Sequence, residues 1–332
     1  MTGNCQFILA RIPSGALMAD CFRLEQAAMP VPKDGEVLLK ARYMSIDAAS
    51  RAWMQGATYR DALGAESLMA GRALAEVLES RHPDFTAGEL VFAEFGWQQY
   101  AALPAQALRK QPACTPLSHL LSVYGVSGLT AYFGLTEVGQ AKSGDTVVIS
   151  AAAGAVGVFA GQIAKALGCR VVGIAGSEDK CCWLREELGL DAALNYKAGA
   201  LADKLKAACP NGIDVYFDNV GGPILETALT LMNLHGRIVC CGAVSAYDSG
   251  VPAPGLCGVP FQLVVKRLSM RGFIVSDFFG QLDEAQAQLH AWVEQGAIRV
   301  FEDIIDGFDS LPAALIGLLH GENRGKRMVK IS

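Results

Sequence analysis

Residues 145–168 read D-T-V-V-I-S-A-A-A-G-A-V-G-V-F-A-G-Q-I-A-K-A-L-G, and the fold is decided there. A short β-branched run at residues 147–149 stops at a small-residue turn. After it, Val156, Phe159, Ala160, Ile163, Ala164 and Leu167 recur at helical spacing. The stretch predicts a strand, a tight turn and a helix. Small residues at Ala151, Gly154 and Gly157 let a backbone pass close to a pyrophosphate, whose charge would rest on the helix's free amides and its positive end. The pattern is A-x-x-G-x-x-G, without the first glycine of the usual dinucleotide fingerprint. Close helix–strand packing alone would also use such residues.

Working outward, the rhythm repeats. Residues 170–175 (R-V-V-G-I-A) predict a second buried strand, 179–188 a helix, and 192–196 a third strand ending at Tyr196. Residues 213–218 (I-D-V-Y-F-D), 237–241 (R-I-V-C-C) and 269–275 (S-M-R-G-F-I-V) predict three more, with a helical pattern at 224–232. Strands alternating with helices imply α/β architecture with a doubly wound parallel sheet, the Rossmann arrangement, and place a dinucleotide in the crevice at the carboxyl ends of the strands.

The end of the second strand selects the dinucleotide. An NAD site usually places Asp or Glu there to hold the ribose hydroxyls. Here the strand ends Ala175-Gly176-Ser177, and Glu178 falls at a predicted helix start, where an acid is favoured in any case. Ser177 and Lys180 are within reach of a phosphate, and Tyr196 is placed to cover the adenine–ribose end. The expectation is NADPH.

With 332 residues the chain has room for two domains. Hydrophobic residues make up 52%, yet no uninterrupted apolar run reaches the roughly 18 residues of a membrane span. Residues 1–10 have neither a basic start nor a long apolar core, so a cytoplasmic protein is expected. A net charge of −5 with no basic cluster gives no support to nucleic-acid binding. The ten cysteines contain no C-x-x-C; Cys181-Cys182 and Cys240-Cys241 are adjacent pairs, so free thiols and no functional metal are expected.

Upstream, residues 36–43, 72–79, 89–92 and 97–103 predict short strands broken by turn clusters, an irregular β domain. Residues 122–139 are rich in Gly and small polar residues, with Gly128 and Thr130 leading into an apolar helix. Residues 304–331 read as β-helix-β, the last strand returning to the first domain. The expected division is 1–124, 125–297 for the nucleotide domain, and 298–332 as the return.

Seven segments in this order resemble the medium-chain dehydrogenase/reductase superfamily in its zinc-free branch of prostaglandin, alkenal double-bond and curcumin reductases. They are Y-M-S-I-D (43–47), G-L-T-A-Y-F-G-L (128–135), A-A-A-G-A-V-G (151–157), F-D-N-V-G-G (217–222), H-G-R-I-V-C-C-G-A-V-S-A-Y (235–247), K-R-L-S-M-R-G-F-I (266–274) and G-E-N-R-G-K (321–326). The resemblance implies a GroES-like first domain beside the Rossmann sheet. It places Lys180 and Tyr196 at the 2′-phosphate, Asn219, Val220 and Gly221 along the nicotinamide half, Asn323 on the cofactor and Tyr247 near the substrate carbonyl. The cofactor-binding set expected on this basis also takes in Thr130, then Ala153, Gly154, Ala155, Val156 and Gly157 at the turn, and Gly176 and Ser177. Cys241, Gly242 and Ala243, then Phe273, Ile274 and Val275, and finally Gly325 complete it. Residues 70–73 (A-G-R-A) lack the His-Glu pair of zinc-dependent relatives. Residues 47–51 (D-A-A-S-R) and Val126-Ser127 depart from the branch where substrate would be held.

Hydride delivery to the β-carbon of an enone leaves negative charge on the carbonyl oxygen, which calls for a hydrogen-bond donor in an apolar setting. Tyr247 supplies one without a metal; as an alternative, it anchors the turn at residues 246–250. Asp47 and Tyr59 are the other expected substrate-binding residues, and Asp47 with Arg51 suggests an interior ion pair. His119, His235 and His290 read as surface or cap residues. The α-carbon proton is left to water or to Tyr247. The expected activity is NADPH-dependent reduction of the double bond of α,β-unsaturated ketones or aldehydes. Quinone reduction and non-catalytic NADPH binding stand as alternatives. The apolar strand at 269–275 predicts an exposed sheet edge, and with it a homodimer, the assembly that relatives of this branch build by joining such edges.

Overall fold

The computed structural model describes residues 3–248 and 258–331. The chain divides into two compact units, Met1–Leu121 with Glu302–Glu322 and Arg327–Ser332, and Ser122–Phe301 with Asn323–Lys326.

In the first unit, β1 (Asn4–Leu9), β2 (Phe22–Ala27), β3 (Glu36–Ser45), β4 (Ser67–Leu68), β5 (Arg72–Ser80), β6 (Leu90–Glu94), β7 (Tyr100–Pro104) and β8 (Arg109–Gln111) follow one another, with a short helix α1 (Ala49–Trp53) after β3. Val37, Leu39 and Ala41 alternate inward along β3, the period-two pattern of a half-buried strand. They pack with Met44, Ala73, Ala75, Val91 and Trp97 into one apolar core. Phe22 stacks on Trp97 with ring centres 5.3 Å apart.

The second unit runs α2 (Val126–Phe133), β9 (Thr146–Ile149), α3 (Gly157–Ala166), β10 (Arg170–Ala175), α4 (Glu178–Glu186), β11 (Ala192–Asn195), α5 (Leu201–Ala208), β12 (Ile213–Asp218), α6 (Gly222–Leu231), β13 (Met232–Cys240), α7 (Val259–Lys266), β14 (Ser269–Gly272) and α8 (Leu282–Glu294). Its six strands lie in the order β11-β10-β9-β12-β13-β14, every pair parallel. Counted within the unit this is 3-2-1-4-5-6, the doubly wound order whose reversal lies between β9 and β12. All four residues of β9 are buried, as a strand covered on both faces requires. Val148, Val172, Ile174, Tyr216 and Ile238 pack there with Leu205, Leu225 and Leu229 from the helices. The chain then returns through β15 (Glu302–Asp306), α9 (Leu311–Leu319) and β16 (Lys326–Lys330), and β16 pairs antiparallel with β3.

Three expectations about elements change. The strand expected at 269–275 stops at Gly272: Phe273 turns inward, the Ile274 amide donates to Asp277 Oδ2 at 3.1 Å, and a 3₁₀ turn starts at Val275. The third strand stops at Asn195, and Tyr196 opens a 3₁₀ turn. Trp97, Gln98 and Gln99 precede β7: the Trp97 amide and carbonyl bond to Met69 and Phe7 instead, and the Gln99 amide donates to Cys5 O. Part of the turn at 246–250 (Ser249 and Gly250) lies outside the described residues. Among the described residues no helix is long and apolar enough to cross a membrane.

Candidate nucleotide and substrate site

The turn between β9 and α3 is built by Ala151, which takes a left-handed φ of +48°. That is the conformation a glycine reaches freely and an alanine reaches at a cost of about 1 kcal/mol, so the glycine missing from the fingerprint is missing in sequence and not in shape. Ala152 is tied to the sheet by its amide on Ile174 O at 3.0 Å. Gly157 starts α3 so close to this turn that a Cβ there would lie 2.3 Å from Ala151 O and 2.7 Å from Ala152 Cα. Gly154, Ala155 and Val156 stay partly exposed, and α3 has no side-chain cap; in its first turn the Val158 amide donates to Gly154 O at 3.0 Å and the Ala160 amide to Val156 O at 2.9 Å. The return segment locks onto the same turn. Gly325 donates from its amide to Ala153 O at 2.9 Å, and Asn323 Nδ2 donates to Gly325 O at 2.8 Å. Gly325 holds φ +74°, and a Cβ on it would meet Phe301 O at 2.1 Å.

At the end of β10, Ser177 caps α4, its Oγ accepting the Lys180 amide at 3.3 Å. Gly176 lies under Tyr196: a Cβ on Gly176 would sit 3.3 Å from Tyr196 Cε1 and 3.5 Å from Lys197 Cε. Lys197 Nζ hangs 5.8 Å from the centre of the Tyr196 ring. The sequence reading missed Lys197; its signal was a second lysine directly after the aromatic residue. No carboxylate ends β10.

The ends of β12 and β13 form the third part. Asn219 donates from its amide to Ser150 Oγ at 2.8 Å and from Nδ2 to Ser150 O at 2.7 Å. Ser245 Oγ donates to Val220 O at 2.6 Å, and the Val244 amide donates to Asn219 O at 3.2 Å, so the loops after the two strands are stitched together. Gly242 lies between them, where a Cβ would be 3.1 Å from Asn219 O and 3.5 Å from the Tyr247 hydroxyl. That hydroxyl accepts the Ala243 amide at 3.2 Å. Burial lifts the Tyr247 pKa above the ordinary tyrosine value, while the Ala243 amide pulls it the other way. The Cys241 thiol is pushed up to about 12 by desolvation, with Asp218 and Cys240 adding to it. Thr130 is buried on α2, and Phe273 is buried within reach of Gly134, while Ile274 is 36% exposed and Val275 opens its turn. Ser150, Tyr216 and Asp218, which fasten these loops, were not singled out from the sequence.

Asp47 and Tyr59 belong to the first unit. Asp47 Oδ2 accepts from Ser45 Oγ at 2.7 Å. Burial works against the charge of Arg72, yet Glu94, Asp47 and Tyr59 hold its pKa above the ordinary value. Tyr59 meets the Trp53 ring edge-on at 6.3 Å, and Arg60 lies over the same ring at 4.4 Å. Arg51 is fully buried, with Nη2 donating to Gly15 O at 2.7 Å. Among the described residues no three His, Cys, Asp or Glu side chains come together as a metal site.

A parallel sheet of this order, with an uncapped helix behind a small-residue turn and a carboxylate-free second strand, defines a dinucleotide-binding Rossmann protein whose residues fit NADPH. Two family models match, one described as the N-terminal domain of oxidoreductase over residues 5–111 and one as zinc-binding dehydrogenase over residues 155–294. The chain is 43% identical to prostaglandin reductase 1 of Bos taurus, over 93% of each chain. It is 38% identical to the NADPH-dependent curcumin reductase of Escherichia coli (strain K12), over 99% of this chain and 97% of that one. The crystal structure of CurA in complex with NADPH from Vibrio vulnificus superposes with a TM-score of 0.94 at 40% identity, covering 99% of both chains. The chain belongs to the medium-chain dehydrogenase/reductase superfamily, in the branch of NADP-dependent prostaglandin, alkenal and curcumin reductases.

Proposed function

We propose that this protein uses NADPH to reduce the activated carbon–carbon double bond of α,β-unsaturated ketones or aldehydes, with hydride going to the β-carbon and no metal taking part. When bound, NADPH supplies the hydride. The observation that carries the reading is the Tyr247 hydroxyl. It accepts the Ala243 amide from its own turn, which fixes its oxygen, and a phenol so held can donate its proton to a substrate oxygen. A donor held in place before the reaction stabilises the charge that builds on the carbonyl oxygen, at no reorganisation cost. The raised pKa keeps that proton on the phenol.

The remaining assignments follow the same reading. The α3 amides and the turn at 153–157 hold the pyrophosphate, and Ser177, Lys180 and Tyr196 hold the 2′-phosphate end. Asn219, Val220, residues 241–243 and Asn323 line the nicotinamide half, and Asp47 and Tyr59 serve the substrate. A panel of alkenals, alkenones, bulky dienones and quinones, assayed with NADPH and with NADH, tests the proposal. Turnover of enones with NADPH is expected; consumption of quinones alone would refute the substrate class.

For assembly, the reading is a homodimer in which a second copy covers the edge strand β14 and the neighbouring helix α7. No described residue of α7 is buried, and Phe261 and Val264 are 67% and 74% exposed. An apolar face this open beside an unpaired edge supports self-association. Light scattering on the wild type and on Phe261→Glu with Val264→Glu checks it. A wild-type monomer at micromolar concentration would refute the dimer.

A further inference from the structure

Arg324 is exposed and lies between Asn323 and Gly325. The Gly325 amide on Ala153 O, at 2.9 Å, fixes this segment against the turn after β9. The guanidinium carbon of Arg324 lies 5.9 Å from the centre of the Trp183 ring. Trp183 is three residues beyond Lys180 on α4, so their side chains share one face of that helix, and Glu187 follows on the same face at its end.

Residues 299–301 cover that face beside Arg324, held there by the Lys326 amide on Phe301 O at 3.1 Å. Phe301 meets Trp183 edge-on at 5.0 Å, and Arg299 Nη2 pairs with Glu187 Oε2 at 3.0 Å. Arg299 also lies over the Phe301 ring at 5.1 Å, so it has both an aromatic face and a carboxylate. Arg324 has the aromatic face alone: among the described residues no carboxylate lies within ion-pair distance of it. The acid at the start of α4, Glu178, is 3.7 Å from Arg185 Nη2. An arginine that rests on an aromatic ring keeps its fork of N–H donors for another group, and that fork matches a phosphate.

In a doubly wound sheet the adenosine ribose belongs at the end of the second strand and the pyrophosphate at the first turn. Arg324 is tethered to both places, through Gly325 to the turn that precedes α3 and through Trp183 to the helix that follows β10. We propose that Arg324 is a specificity-determining residue for the cofactor, its guanidinium binding the 2′-phosphate of NADPH together with Lys180. The lack of an acid at the end of β10 only removes an obstacle to that phosphate, whereas Arg324 adds an attraction to it. The proposal rests on the NADPH reading given above.

Fluorescence titration of the full chain with NADPH and with NADH, in the wild type, Arg324→Gln and Arg324→Lys, tests this; calorimetric titration with adenosine 2′,5′-bisphosphate probes the phosphate end alone. Arg324→Gln should weaken NADPH and the bisphosphate by about tenfold and leave NADH within about twofold. Arg324→Lys keeps the charge but loses the fork, so its NADPH affinity should fall between the two. Equal weakening of NADPH and NADH would assign Arg324 to the pyrophosphate and overturn the proposal. A lower Tm in Arg324→Gln with the preference for NADPH intact would make the side chain a cover for Trp183 and overturn it as well. If Arg324→Gln does not fold, Arg324→Lys decides: a preference for NADPH reduced by about threefold is expected, and an unchanged preference would overturn the idea. A wild type that binds NADH as tightly as NADPH would bring down the NADPH reading itself, whereas a wild type that prefers NADPH and an Arg324→Gln that prefers it equally sink this proposal alone.

Discussion

Adding one methyl group at Gly157 should cost both stability and NADPH affinity, against the usual direction of Gly→Ala in a helix. On propensity alone the change would gain up to about 1 kcal/mol. The new Cβ, however, would lie 2.3 Å from Ala151 O, 2.7 Å from Ala152 Cα and 2.8 Å from Ala152 C, all backbone atoms that cannot swing aside. Restoring ordinary contact of about 3.5 Å moves the start of α3 by about 1 Å away from the turn. Overpacking of this kind costs about 1–3 kcal/mol, so a net loss of about 1–2 kcal/mol is expected in urea unfolding. The first-turn amides move with the helix, and fluorescence titration should show NADPH binding weakened by about tenfold or more. Gly154→Ala is the control. Its Cβ would meet only Ala151 O at 3.2 Å, and its stability should change by less than about 0.5 kcal/mol. Equal stability and affinity in Gly157→Ala and the wild type would refute the claim that the approach of helix to turn forms the cradle.

Lys180→Ala should weaken NADPH by about 2–3 kcal/mol and leave NADH nearly unchanged; equal losses in a titration with both would show that the lysine has another task. Tyr247→Phe should lower kcat for enones by roughly ten- to a hundredfold with NADPH affinity unchanged, and unchanged turnover would return the residue to its anchoring role. The donor form of Tyr247 is complete at low pH and is lost as pH rises through its raised pKa. The kcat profile should therefore show no fall from this group below about pH 10, and a fall centred near 8 would contradict its assignment.

Much of the nucleotide fold was legible because its strands are covered on both faces and read as short apolar runs between helical patterns. Arg170–Ala175 and Ile213–Asp218 match the sequence expectation residue for residue. The carboxylate-free strand end was equally plain, since it depends only on which residue follows Ala175. The edge was read less well. Residues 273–275 are as apolar as a strand, but the Ile274 amide is taken by Asp277 and the chain turns, a local competition that periodicity does not register. Two features of the site were hidden for a different reason. The left-handed Ala151 leaves no compositional mark, because alanine is not the residue that the conformation favours. The Ser150–Asp218 network joins residues 68 apart in sequence, and only the parallel pairing of β9 with β12 brings them to one hydrogen-bond distance.

The account rests on where the hydride goes. Turnover of a simple enone with NADPH carrying deuterium at the transferred position, followed by mass spectrometry and NMR of the product, tests this directly. The predicted product is the saturated ketone or aldehyde with its carbonyl intact and one deuterium on the β-carbon. An allylic alcohol labelled at the carbonyl carbon, or no label in the product at all, would contradict it.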